Sequence, residues 1–91
     1  MQSTIPSFYY VYVLISQKDN KFYIGFTKDL TRRIAQHHNG ESKATASRRP
    51  LVLIFYESYK NKYDALRREK YFKTSKGRAT LKTMLQEYLN E

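Results

Sequence analysis

The chain contains no cysteine, which excludes disulfide cross-links and thiolate metal sites alike and fits a reducing compartment. Long apolar runs are also missing. The best candidate, FYYVYVLI at residues 8–15, is far shorter than the roughly 20 residues of a membrane-spanning helix. No basic region precedes it and no small-residue cleavage site follows. The expectation is therefore no membrane association and no signal peptide, with a cytoplasmic location as the default. Internal repeats and low-complexity segments are absent. Acidic residues are scarce: eight Asp and Glu stand against seventeen Lys and Arg, for a formal net charge of +9. That excess is the footprint of a polyanion binder, and nucleic acid is the commonest such partner. The bland alternative is a soluble basic protein. The cations are spread along the chain, so any patch has to be built by folding.

What is present suffices for one domain of 91 residues. A chain this long buries roughly 60–65% of its unfolded surface, enough for one modest core. Residues 1–7 read as a flexible lead-in, and 8–91 as the single domain. Aromatic and β-branched residues make 8–15 a strand. The polar stretch 16–21 holds Asp19 and Asn20, whose side chains bond nearby backbone in turns. Residues 22–26 alternate as a second strand, with Phe22, Ile24 and Phe26 on one face and Tyr23 and Gly25 on the other. Residues 28–39 read as a helix with Thr27 or Asp29 at its start and Gly40 closing it. A polar loop, ESKATASRRP, follows. LVLIFY at 51–56 is nearly continuous and apolar, as expected for a strand covered on both faces. Asn61 and Asp64 resemble a capping box that opens a helix reaching about Thr74. Ser75-Lys76-Gly77 punctuates the chain before a last helix bearing Leu81, Met84, Leu85, Tyr88 and Leu89 at helical spacing. The predicted order is β-β-α-β-α-α: an α+β fold with a three-stranded antiparallel or mixed sheet flanked by helices.

Four features depart from a purely structural pattern. Glu69 lies between Ala65, Leu66 and Phe72 on the apolar stripe of its helix. A buried carboxylate needs a partner; Arg67, Arg68, solvent or a hard cation could each supply it, and Mg²⁺ is often held by one carboxylate plus substrate phosphate. Arg33 borders the stripe of Leu30 and Ile34, with His37 one turn on. Arg33 either extends its stem over the core edge or clamps a phosphate. His37 either caps the helix or shares a proton. Tyr12 and Tyr23 fall on one sheet face if the hairpin loop is even-numbered. Gly25 would leave open space next to Tyr23, and marks either a bulge or the close approach of another backbone or a ligand.

Taken together these residues resemble the GIY-YIG nuclease superfamily, in particular its small stand-alone, single-domain bacterial members. Tyr10-Val11-Tyr12 matches the first half of the signature and Tyr23-Ile24-Gly25 the second. FYIGFTKDLTRRIAQH is similar to the family's second strand and first helix, with Arg33 at the arginine position. RREKYFK resembles the helix carrying the metal-binding glutamate, here Glu69. The likeness runs from about residue 9 to 85. Two departures stand out. Tyr10 replaces the signature glycine, and Asn90 lies too near the chain end to match the late asparagine of many members.

The resemblance implies a divalent-metal-dependent endonuclease, DNA favoured, leaving 5′-phosphate and 3′-hydroxyl ends. Glu69 would hold Mg²⁺ (or Mn²⁺), Arg33 would neutralise phosphoryl charge, Tyr23 would position water, and Tyr12 would be base or relay. His37 remains the alternative proton acceptor, because a phenol with a pKa near 10 is a poor base at neutral pH. Lys28, Arg32, Lys43, Arg48, Arg49 and Arg68 are the expected nucleic-acid contacts. The chain would act as a monomer or homodimer. One rival is a basic nucleic-acid-binding module on the same fold with little or no cleavage activity, against which the presence of all four site residues argues. Another is a ribosome-associated or RNA-structural protein, which would account for the charge but has no need of Glu69.

Overall fold

The computed structural model describes residues 7–91; the lead-in expected over 1–7 lies outside them except for exposed Ser7. Three strands, β1 (Tyr9–Ser16), β2 (Phe22–Thr27) and β3 (Leu51–Tyr59), form one sheet in the order β2-β1-β3. Both pairings are antiparallel, which settles the alternative left open by the sequence. Four helices accompany it: α1 (Leu30–His38), α2 (Lys62–Phe72), α3 (Ser75–Met84) and the short α4 (Gln86–Leu89).

Because successive strand residues point to opposite faces, β1 supplies two cores at once. Val11 and Val13 pack with Phe22, Ile24, Ala65, Phe72 and Leu81 on the α2/α3 side. Tyr12 and Leu14 pack with Leu51, Tyr23, Leu30 and Ile34 on the α1 side. The strand covered on both faces is thus β1, and β3 sits at the sheet edge with Tyr56 52% exposed. The apolar run that suggested otherwise has another cause. A register shift between Val13 and Leu14 leaves Ile54 without an opposite residue, so Ile54 and Phe55 both join the α2/α3 core. A bulge of this kind breaks the alternation locally.

The helix ends follow side-chain chemistry. Asp29 caps α1 by accepting from the Arg32 amide at 3.1 Å, and Gly40, at φ +76°, closes it. Asn61 caps α2 by accepting from the Tyr63 amide at 2.8 Å. Asp64 does not complete a capping box; it pairs with Arg67 instead. The expected α2 boundary also moves. Thr74 is the N-cap of α3, accepting from the Gly77 amide at 3.0 Å, so Ser75-Lys76-Gly77 is the first turn of a helix, not a break. Gly77 is buried there, so close to α2 that a Cβ would collide with the Tyr71 carbonyl oxygen and lie 2.7 Å from Phe72 Cα. Along the last stripe Leu81 is buried, whereas Met84 and Tyr88 are exposed, and the helix breaks at Leu85 and restarts as α4.

The segment between α1 and β3 has only one short 3-10 turn (Ala46–Arg48), yet it is tied to the first hairpin turn. Arg48 pairs with Asp19 at 2.9 Å, its carbonyl accepts from the Ser16 hydroxyl at 2.6 Å, and Lys18 Nζ donates to the Ser47 carbonyl at 3.0 Å. The Gln17 amide donates to the Pro50 carbonyl at 2.8 Å.

Candidate active site

The hairpin pairs Tyr12 with Gly25 and Leu14 with Tyr23, so Tyr12 and Tyr23 share a face, as the period of two requires. Their ring centroids are 6.4 Å apart. Gly25 is neither a bulge nor an open slot: a Cβ there would overlap the Tyr12 Cζ and Oη atoms. The missing side chain makes room for the end of the Tyr12 phenol. That phenol is 1% exposed and points at α1, where its oxygen lies 2.7 Å from His37 Nε2. His37 does not cap its helix. It is completely buried, packs edge-on against Tyr12 and Tyr23 at 5.6 and 5.1 Å, and its Nδ1 meets Thr45 Oγ1 at 2.7 Å.

Arg33, one turn before His37, flanks the two tyrosines. Its Nη1 donates to Gln36 Oε1 at 2.9 Å and its Nη2 to Ser42 Oγ at 3.4 Å, which holds the fork in place. Burial alone would lower its pKa, but the hydroxyls of Tyr12 and Tyr23 outweigh it and the net shift is upward; Arg33 is a permanent cation. Burial raises the Tyr12 phenol to about 12 against the opposing pull of Arg33, with Tyr23 and the Glu69 carboxylate adding to the rise. Burial lowers His37 to about 4, helped by the charges of Arg33 and His38, so its ring is neutral at physiological pH. The cluster therefore holds a fixed cation beside a protonated phenol that is itself hydrogen-bonded to a neutral imidazole. It can accept charge on a phosphoryl oxygen and move one proton at Tyr12 Oη.

Glu69, on α2, has a side chain 19% exposed and pairs with Lys73 at 3.1 Å. Neither arginine expected as its partner is free: Arg67 binds Asp64 and Arg68 binds Glu57. Among the described residues no group of three or more His, Cys, Asp or Glu side chains could surround a metal ion. One half-buried carboxylate with a displaceable lysine fits a hard ion that keeps most of its water, the usual habit of Mg²⁺.

The expected nucleic-acid contacts divide. Lys28 and Arg32 are exposed and line, with Arg33, Gln36, Thr27 and Asp29, a shallow pocket of about 280 Å³. Lys43 is exposed on the following loop. Arg49 folds back on the Ala46 carbonyl at 3.0 Å. Arg48 and Arg68 are engaged in the fold: Arg48 by Asp19 and the Lys21 carbonyl, Arg68 by Glu57 at 2.7 Å and by stacking 4.2 Å over the Phe72 ring. Sequence reasoning missed Thr45 and Ser42 altogether. Both sit in a loop with no periodicity, so nothing in the pattern singled them out.

Residues 8–82 match the GIY-YIG catalytic domain. A UPF0213 protein of Bacillus subtilis, YazA, is 45% identical over 67 residues, covering 72% of this chain but 65% of its own length, so the chain spans slightly less than two thirds of that relative. A UPF0213 protein of Staphylococcus haemolyticus, SH2523, is 41% identical over 75 residues, covering 81% of this chain and 90% of its own. The solution NMR structure of the UPF0213 protein BH0048 from Bacillus halodurans superposes with a TM-score of 0.54 at 32% identity, covering 85% of this chain and 84% of that one.

Proposed function

Because the chain belongs to the GIY-YIG family, a superfamily of nucleases, we propose that it is a divalent-metal-dependent endonuclease that hydrolyses phosphodiester bonds, DNA favoured, in the cytoplasm. The observation that carries this reading is the convergence of Tyr12, Tyr23, His37 and Arg33 around one buried phenol oxygen. Arg33 neutralises the charge that grows on the phosphoryl oxygens. Tyr12 handles the proton of the attacking water, directly or as a relay to His37, and Tyr23 orients that water. Glu69 is the residue that would hold Mg²⁺ or Mn²⁺. When bound, such an ion polarises the phosphate and steadies the leaving oxygen. Lys28, Arg32 and Lys43 would guide the phosphate backbone toward Arg33.

The Glu69–Lys73 ion pair favours a second reading, in which the domain binds nucleic acid without cutting it. One screen separates the two. Branched, flapped and single-stranded DNA and RNA are incubated with Mg²⁺, and Glu69→Gln serves as the control. The nuclease reading expects cleavage by the wild type and none by Glu69→Gln, with nucleic-acid binding close to normal in both. Cleavage by Glu69→Gln at the wild-type rate would remove Glu69 from the metal role. Binding without cleavage across the panel would leave the binding module.

A further inference from the structure

Thr45 is the inner end of a buried hydrogen-bond chain, and counting protons along that chain fixes its direction. Tyr12 Oη meets His37 Nε2, and His37 Nδ1 meets Thr45 Oγ1, each at 2.7 Å. A neutral imidazole carries one N–H and one acceptor nitrogen. The two hydroxyls and the ring thus bring three protons to two contacts, and one proton must point elsewhere.

Only two arrangements exist. In the first, Tyr12 donates to Nε2, Nδ1–H donates to Thr45, and the Thr45 proton is left over. In the second, Thr45 donates to Nδ1, Nε2–H donates to Tyr12, and the Tyr12 proton is left over. Thr45 is completely buried, and among the described residues its hydroxyl makes no other hydrogen bond. A proton left over there is a buried unsatisfied donor, which the first arrangement cannot avoid. Tyr12 is buried as well, but its oxygen lies beside Arg33 and the half-buried Tyr23, whose hydroxyl can accept the spare proton.

We propose that Thr45 is a positioning residue that donates to His37 Nδ1 and so holds His37 as the Nε2–H tautomer, with Tyr12's own proton facing the substrate. The catalytic consequence rests on the nuclease reading above. His37 already bears a proton on the nitrogen that touches Tyr12, so it stabilises the phenolate and does not receive its proton. Tyr12 loses that proton to solvent, and Nε2–H and the Arg33 cation hold the phenolate. The phenolate then takes one proton from water as the water oxygen bonds to phosphorus. The P–O bond to the leaving oxygen breaks, and that oxygen is protonated by solvent.

The test is the nitrogen spectrum of the His37 ring in the full-length, ¹⁵N-labelled chain at neutral pH, which reports the tautomer whether or not the protein cleaves anything. The expected result is a proton on Nε2 and a hydrogen-bonded acceptor at Nδ1. Thr45→Val should move the Nδ1 resonance toward that of an unbonded ring nitrogen, and Thr45→Ser should restore it. In a cleavage assay Thr45→Val should lower kcat by about 10–100-fold, the size typical of losing a group that orients an imidazole, with KM unchanged and Thr45→Ser recovering the rate. A proton on Nδ1 in the wild type would overturn the proposal, and this holds even if Thr45→Val fails to fold. An unchanged Nδ1 resonance in Thr45→Val would overturn it as well. The Nε2–H tautomer in a protein that cuts nothing would instead refute the nuclease reading and leave the assignment of Thr45 intact.

Discussion

At the scale of single residues the two proton-handling candidates differ in when they ionise. Tyr12 is held near 12 and His37 near 4 by the same burial, because burial disfavours whichever form is charged. If the phenolate of Tyr12 is the working base, its population rises about tenfold per pH unit below 12. The cleavage rate should then climb steadily from pH 6.5 to 9. Were His37 the base, it would already be fully deprotonated above pH 5 or so, and the profile across that range would be flat. A pH–rate profile of kcat, with Tyr12→Phe as the control, decides between them; a flat profile would rule out Tyr12. The acid limb has a separate cause. The lowered pKa of His37 means that the unfolded chain binds a proton the folded chain refuses between about 6.5 and 4. Its contribution to stability is thus complete above pH 6.5 and is lost as the pH falls toward 4.

At the scale of elements, the strands and helices whose patterns repeat were legible in the sequence. The alternation of Tyr12 and Leu14 on one strand and of Tyr23 and Gly25 on the next put two phenols on one face, and the register repeats it. Local conflicts defeated the rest. The bulge at Ile54 made an edge strand look doubly covered, and Gly77 looked like punctuation because a sequence does not display helix-to-helix distance. Thr45 was illegible for a different reason: a loop residue acquires its partner only when α1 and the loop are both in place. The α2–α3 corner carries its own prediction. Gly77→Ala forces a methyl group into the Tyr71 carbonyl, and backbone cannot yield as a flexible side chain would. Overpacking of this kind costs about 1–3 kcal/mol or more. Chemical denaturation should show that loss, while Ala79→Gly, at an exposed position on the same helix, should cost only about 1 kcal/mol through helix propensity. Equal stability of Gly77→Ala and wild type would mean that the corner is looser than it is drawn.

At the scale of the whole molecule the +9 charge is not one uniform reserve. Arg48 and Arg68 are occupied by Asp19 and Glu57, whereas Lys28 and Arg32 lie open beside Arg33. Arg32→Ala should therefore weaken nucleic-acid binding and reduce the slope of log K against log salt by about 1. Arg68→Ala should leave that slope unchanged and lower the melting temperature instead. A reduced salt slope in Arg68→Ala, measured by fluorescence anisotropy, would contradict this division. One further consequence lies in how the loop from residue 41 to 50 is moored. It supplies Ser42 to Arg33 and Thr45 to His37, but its own anchor is the turn of the first hairpin, through Asp19, Ser16, Lys18 and Gln17. That turn looks like the obvious place to graft a tag or splice in a foreign loop, since residues 17–21 are exposed and none of them is a reacting group. It is also the far end of a lever whose near end aims the imidazole, so an alteration that left the fold intact would still be felt in the chemistry.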